Sequence, residues 1–249
     1  MEAVILAGGF ATRLHPLTRN RAKPLLDVAG QTCLDRIFGR LRPLAEQGLS
    51  RVVVVTNTKF VDAFEAALRG MDLPFEAVAV DNGVSGEGTK RGAVGDMAFG
   101  AAQLRGDEDF WVLAGDNLFE FDLAQVWADY QARGRRPTVL LSEVATVQEA
   151  AKYNNLELGA NGKILSFVEK PKEPWSQLFA VCIYVFPRDV GRALRDYLKA
   201  GENPDNAGSF IGWLAARQPV LTLKPTGAWF DIGSIQELED ARAHFQGKN

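Results

Sequence analysis

The chain has 249 residues, 47% hydrophobic and 24% charged, the balance of an ordinary globular protein long enough to bury a sizeable core. Disorder and collagen-like repetition are excluded. With 28 Lys plus Arg against 31 Asp plus Glu, the formal net charge is −3, so no global positive field exists to hold a phosphate polymer and no nucleic acid is expected as partner.

The two cysteines, Cys33 and Cys182, lie far apart without C-x-x-C spacing, which argues against a structural zinc site or disulfide framework and makes the cytoplasm the expected compartment. Met1-Glu2 leads directly into Ala3-Val4-Ile5-Leu6-Ala7, too short an apolar run for a signal peptide. No segment approaches the ~20 apolar residues of a membrane span, so membrane insertion is not expected.

In chain order, Ala3 to Ala7 predicts a first strand and Thr32 to Gln47 a helix, with Leu34, Ile37, Phe38, Leu41 and Leu44 on one stripe and Gly48 past its end. Arg51 to Thr56 reads as a central strand, followed by a helix carrying Val61, Phe64 and Leu68. Phe75 to Val80 and Phe110 to Ala114 predict two more strands. Between them, Asp81 to Gly92 is rich in glycine and polar residues and predicts a mobile surface loop able to cover a ligand. A helix with Leu123, Val126, Trp127 and Tyr130, and a strand over Thr138 to Val144, come next. The pattern then changes to a hairpin, Asn155 to Leu158 and Lys163 to Glu169 around the turn Gly159-Ala160-Asn161-Gly162. Leu178 to Phe186 predicts a strand, Asp189 to Leu198 a helix, Val220 to Leu223 a strand, and Ser234 to Phe245 a terminal helix with Ser234 as N-cap. Strands alternating with helices predict one α/β domain, a mostly parallel sheet flanked by helices with a small antiparallel insertion, and a ligand beyond the carboxyl ends of the strands.

The residues after those strands carry the chemistry. Gly8-Gly9-Phe10-Ala11-Thr12-Arg13-Leu14, then Pro16-Leu17-Thr18 and Lys23-Pro24, form neither a G-x-G-x-x-G fingerprint nor a P-loop. Glycines at a strand end let backbone N–H groups approach an anion, with Arg13 as a planar fork and Lys23 as a point charge for phosphate oxygens. A tight turn with two solvated cations is the alternative. Asp116 and Asp231 are short carboxylates at predicted element ends, suited to a hard cation or, taken singly, to a turn or cap. Glu169-Lys170-Pro171 closes the hairpin, either as a site or as an exposed edge with two solvated charges. The histidines His15 and His244 have no partnering motif; His244 is expected at the surface, and Cys33, Trp111, Trp127, Phe64 and Phe38 in packing.

Leu6-Ala7-Gly8-Gly9-x-x-Thr12-Arg13-Leu14-x-Pro16-Leu17-Thr18 with Lys23-Pro24, then Gly115-Asp116-Asn117, Glu169-Lys170-Pro171 and Trp229-Phe230-Asp231-Ile232-Gly233, resembles the sugar-phosphate nucleotidyltransferases, the glucose-1-phosphate thymidylyltransferases among them, in order and over nearly the whole chain. The resemblance implies a Rossmann-like fold of that type and Mg²⁺-dependent transfer of a nucleotidyl group from a nucleoside triphosphate, dTTP or UTP favoured, to a sugar 1-phosphate. It implies that Arg13 and Lys23 grip the triphosphate, that Leu6, Ala7, Gly8, Gly9, Thr12, Asn82 and Gly92 contribute to the nucleotide site, and that Asp116 and Asp231 bind the metal. Glu169 would bond the sugar hydroxyls and Lys170 the sugar phosphate, with Asp116, Asn154 and Val181 in the same substrate pocket. Residues 1–145 would form the nucleotide-binding part of the domain and 146–249 the part that completes the sugar-phosphate and metal sites.

Three departures leave the ligands open. Ala11 replaces a common glycine of the phosphate loop. Asn154 and Val181-Cys182 replace the Tyr-Gly and Thr-Gly steps that line the sugar pocket, and Asp81 to Asp96 replaces the segment that reads the base. The sequence stops soon after Phe245, without the extra C-terminal helices or β-helix of longer relatives, which leaves allosteric control and a possible homo-oligomer open. A cytidylyltransferase for a non-sugar phosphate such as phosphocholine and a catalytically silent regulatory or scaffold protein are the alternatives; the first wants a cage for a quaternary ammonium, and Arg13, Lys23, Asp116, Lys170 and Asp231 argue against the second.

Overall fold

Runs such as Val52 to Val55 and Trp111 to Leu113 are apolar on both faces and need cover above and below. A computed structural model, which describes residues 1–247, shows how that cover is supplied. The strands in chain order are β1 (Glu2–Ala7), β2 (Asp27–Val28), β3 (Gln31–Thr32), β4 (Arg51–Thr56), β5 (Glu76–Asp81), β6 (Phe110–Ala114), β7 (Asn117–Phe119), β8 (Thr138–Glu143), β9 (Asn154–Leu158), β10 (Ile164–Glu169), β11 (Leu178–Phe186), β12 (Leu221–Leu223) and β13 (Trp229–Asp231). The α-helices are α1 (Cys33–Leu41), α2 (Val61–Arg69), α3 (Gly92–Ala102), α4 (Leu123–Ala132), α5 (Val190–Lys199), α6 (Ala207–Ala215) and α7 (Ile235–Phe245).

The main sheet has seven strands in the order β12-β8-β11-β6-β1-β4-β5. Strands β6, β1, β4 and β5 run parallel, while β11 is antiparallel to both β6 and β8. The sheet is therefore mixed and mostly parallel, of the Rossmann-like kind expected. Strands from either side of residue 145 interleave in it, since β11 lies between β8 and β6. One core covers each face. Phe38, Phe64, Trp111 and Trp127 belong to one, Met97, Phe110, Phe186 and Phe210 to the other. Among the described residues no helix is long and apolar enough to cross a membrane.

The structure differs from the periodicity in four places. The helix expected over Thr32 to Gln47 is α only to Leu41 and continues as a 3₁₀ turn over Arg42–Gln47, where Pro43 removes a backbone donor. Its start is a reciprocal cap: Thr32 accepts from the Asp35 N–H, and the Asp35 carboxylate accepts from that of Thr32. Helices α3 and α6 were not expected, because α3 carries Gly92, Gly95 and Gly100 and α6 carries Gly208 and Gly212, residues that lower helix propensity. Trp229–Asp231 is a strand paired antiparallel with β7, where no strand was expected; α7 follows as expected, capped by Ser234. His244 is half-buried, its Nε2 3.1 Å from Glu120 and its ring against Phe230 and Phe245, rather than at the surface.

Candidate functional site

The strand-end motifs meet over the carboxyl ends of β1 and β6. Two adjoining cavities open there, one of about 690 Å³ and one of about 260 Å³, and Asp116, Ala114 and Cys182 line both.

The smaller cavity is floored by Leu6, Gly8 and Gly9 at the end of β1. Gly8 is glycine because Asp96 lies against it: a Cβ there would be 2.3 Å from Asp96 Oδ2 and 2.9 Å from Asn82 Nδ2. The Asn57 amide donates to the Gly8 carbonyl at 3.0 Å and fixes the backbone. Asn82 lines the cavity but is 2% exposed; its Nδ2 donates to Asp96 at 2.8 Å, and its Oδ1 accepts from the Val84 N–H at 3.0 Å. Gly92 opens α3 with φ +75, where Pro204 leaves no room for a side chain. Ala7 and Thr12, both expected at the nucleotide, line neither cavity: Ala7 is buried within β1, and Thr12 starts the exposed 3₁₀ turn Thr12–Leu14. Ala11 adopts φ 50, ψ 44, a left-handed conformation that explains why a glycine suits this position.

Lys23, also expected at the triphosphate, lines neither cavity itself; its ammonium donates to Asp116 Oδ2, on the shared wall, at 2.6 Å. Burial by itself would lower the Lys23 pKa, but the Asp116 contact and the charge of Asp231 outweigh it and raise it. Asp116 and Asp231 are brought together by main chain. Asp231 pairs with Asn117 across β13 and β7, and the Ile232 N–H donates to the Asp116 carbonyl at 3.0 Å. Burial and the neighbouring Asp116 charge push the Asp231 carboxyl up to about 7, with Lys23 and Arg13 working the other way. Two hard oxygen donors held against each other suit a cation such as Mg²⁺, which takes one or two carboxylates and completes its shell with water and substrate phosphate. Among the described residues no group of three or more His, Cys, Asp or Glu is arranged for a metal.

Arg13, Asp231, Glu169 and Lys170 line the larger cavity, which brings the four motifs of the sequence to one place. Glu169 ends β10 and lies at the N-terminus of α6, where a Cβ on Gly208 would be 2.4 Å from its Oε2. Burial pushes the Glu169 carboxyl up, partly offset by its hydrogen bond to Asn206 and the charge of Lys170. Lys170 is exposed with φ 46, and its N–H donates to the Tyr153 carbonyl at 2.7 Å. Tyr153 stacks on Phe179 with ring centroids 4.3 Å apart, and Trp229 meets both edge-on. Asn154 lines the wall, but its amide is engaged with the Ala180 backbone, donating at 3.0 Å and accepting at 2.7 Å. Val181 lines the larger cavity too, although at 1% exposure most of its side chain packs in the core. Cys33 and Cys182 are thiols pushed up to about 12 by burial, too high for nucleophiles.

Sequence reasoning missed Asn206, Gly208 and Asp96. Asn206 carried a signal, an N-cap residue ahead of an apolar run. Asp96 carried a fainter one, an acid among Val94, Met97 and Ala101.

The model of the nucleotidyl transferase family matches residues 2–247. The chain is 27% identical over 245 residues to the catalytic subunit beta of mannose-1-phosphate guanylyltransferase from Dictyostelium discoideum, covering 96% of this chain and 62% of that one. It is 29% identical over 247 residues to the UTP–glucose-1-phosphate uridylyltransferase AglF of Haloferax volcanii, covering 99% and 97%. The crystal structure of a UDP-glucose pyrophosphorylase complexed with UDP-glucose has the same fold, with a TM-score of 0.82, 20% identity and coverage of 100% and 99%. The chain thus spans under two thirds of the guanylyltransferase and nearly all of the uridylyltransferase. It belongs to the nucleotidyl transferase family, as its motifs led us to expect.

Proposed function

We propose that this protein transfers a nucleotidyl group from a nucleoside triphosphate to a sugar 1-phosphate in the cytoplasm, with Mg²⁺, releasing pyrophosphate. One observation carries the reading: the cations Arg13 and Lys170 and the carboxylates Asp116, Asp231 and Glu169 line one cavity that adjoins a glycine-floored slot at a strand end. Asp116 and Asp231 would hold the cation, which supplies charge neutralisation between the phosphates of the two substrates.

The remaining work falls to side chains of this chain. Arg13 and Lys23 draw the triphosphate toward the wall shared by the two cavities. Lys170, exposed on its left-handed turn, meets the sugar phosphate, and a rotatable ammonium suits a phosphate that must advance. Glu169, partly buried on the lining of the same cavity, accepts from sugar hydroxyls. A phosphate oxygen of the sugar 1-phosphate then attacks the α-phosphorus in line; the new P–O bond forms as the bond to the β-phosphate oxygen breaks, and its electrons leave with pyrophosphate. The nucleophile is already an anion at neutral pH, so positioning and charge neutralisation replace a general base. The relatives named above support transfer to a sugar 1-phosphate. The pyrimidine preference implied by the motif resemblance rests on a loop that differs here.

A matrix of the common nucleoside triphosphates against sugar 1-phosphates, read by pyrophosphate release with Mg²⁺, tests the reading. Release with at least one pair is expected. Silence across the whole panel would overturn it in favour of a non-catalytic protein.

A further inference from the structure

Asp96 is a carboxylate that the mechanism does not use. It sits one turn into α3, only 8% exposed, on the wall of the smaller cavity beside Gly8 and Asn82. Its Oδ1 accepts from the Asn82 amide at 2.8 Å, whereas Oδ2, which lies over Gly8, has no hydrogen-bond partner among the described residues. An ionised carboxylate is acceptor-only, so an oxygen that opens onto the cavity without a protein donor is available to a donor on a bound molecule. Burial of the side chain as a whole pushes the Asp96 carboxyl up to about 6, with the Asn82 bond and the Arg91 charge opposing it.

The slot around Asp96 indicates what the donor is. Leu6, Gly8, Gly9 and Val84 form narrow apolar and backbone surfaces suited to a flat ring, and Lys90 and Arg91, which only donate, line the same space. The wall therefore offers an unfilled acceptor on one side and cationic donors on another. Among the common bases, only guanine presents two adjacent N–H donors, on N1 and N2, together with the acceptors O6 and N7. Uracil and thymine turn two carbonyl oxygens toward any acceptor that approaches N3–H. Adenine and cytosine flank their amino group with a lone-pair nitrogen.

We propose that Asp96 reads the nucleobase of the bound nucleotide and that this base is guanine, its N1 and N2 donors facing Asp96 and its O6 and N7 facing Lys90 and Arg91. The inference rests on the nucleotidyl-transfer reading for the place of the nucleotide, and it assigns the specificity that the motif resemblance assigned to dTTP or UTP. Asn82 is then a positioning residue, holding Oδ1 so that Oδ2 faces the base.

Equilibrium binding of GTP, ATP, CTP, UTP and dTTP, each with Mg²⁺, measured by calorimetry on the full chain and on Asp96→Asn, tests this without needing turnover. The parent should bind GTP at least tenfold more tightly than the other four. The substitution should weaken GTP by roughly tenfold to a hundredfold while moving the pyrimidine nucleotides little. A parent that prefers UTP, dTTP, ATP or CTP overturns the proposal whether or not the variant folds. Equal weakening of all five nucleotides also overturns it, since Asp96 would then touch ribose or merely shape the loop. Pyrophosphate release from UTP alone among the triphosphates, with any sugar 1-phosphate as acceptor, would discard guanine and leave nucleotidyl transfer intact; tight, Asp96-dependent GTP binding without any release would do the reverse.

Discussion

The two halves of the proposed site, the smaller cavity for the nucleotide and the larger for the sugar phosphate, are held by different means. On the nucleotide side the cavity is made of main chain at the ends of parallel strands, and what matters is how closely backbone and neighbours approach, as at Gly8. On the sugar side the wall comes from antiparallel strands pinned by side-chain amides. Asn154 binds the Ala180 backbone, Asn155 binds the backbone of Trp175, Ser176 and Leu178, and Asn206 caps α6 beneath Glu169. An added methyl group is therefore the sensitive change on the first side, and a lost amide on the second. Asp116 and Asp231 stand between them, and a defect there harms both.

The largest effect we expect is at that junction: Asp116→Asn should lower turnover by roughly 100-fold or more, because it removes one of two carboxylates and unpairs Lys23. Pyrophosphate release would show it, and near-normal turnover would reject the assignment. On the sugar side, Asn155→Ala strips partners from several part-buried backbone groups and should cost about 3 kcal/mol in denaturant unfolding. Nucleotide affinity should survive in the folded fraction; a parallel loss of nucleotide binding would show that the halves are not separable. Gly208→Ala places a methyl group into Glu169 and Phe167 and should raise the sugar-phosphate KM roughly tenfold at a stability cost of ~1–3 kcal/mol. An unchanged KM would remove Glu169 from the sugar site.

Asp96→Asn gives a pH test on the nucleotide side. The folded carboxyl titrates near 6, above the ~3.9 of an unfolded aspartate, so the folded state holds that proton more tightly. Its stabilising contribution is full below pH 4 and is lost as pH rises through 6, so the always-neutral asparagine should gain on the parent between pH 4.5 and 8, on the order of 2 kcal/mol. Arg91 is the cation that acts on Asp96. A constant gap between variant and parent across that range would mean that Asp96 is not strained by burial. The smallest effect belongs to Ala11→Gly, where relief of the left-handed alanine and the greater chain entropy of glycine nearly cancel; the unfolding free energy from denaturant titration should change by less than about 1 kcal/mol.

The sheet and the four motifs were legible because strand ends and paired charges leave local signals: Val52 to Val55 cannot be a surface segment, and Gly115-Asp116-Asn117 must follow a buried strand. Helix α3 was not legible, because Gly100 reads as a helix breaker when it is in fact a packing residue whose Cβ would lie 2.4 Å from Val4 Cγ1. Gly208 was hidden for the same reason. The roles of Asn154 and Asn82 were hidden differently: an amide facing a ligand and an amide satisfying a distant backbone group look alike in sequence, and only the position of Ala180 or Asp96 separates them. Asp231 was found as a carboxylate but not as a strand residue, since a three-residue strand has too short a pattern to register.

The central claim is that both substrates meet across the wall of Asp116 and Asp231 and react by one direct displacement. A nucleoside 5′-(1-thiotriphosphate) of single configuration at the α-phosphorus, turned over with its sugar 1-phosphate, tests it most directly. Inversion at phosphorus in the nucleotide-sugar product is the expected result. Retention would require a covalent enzyme intermediate and two displacements, and would contradict that claim.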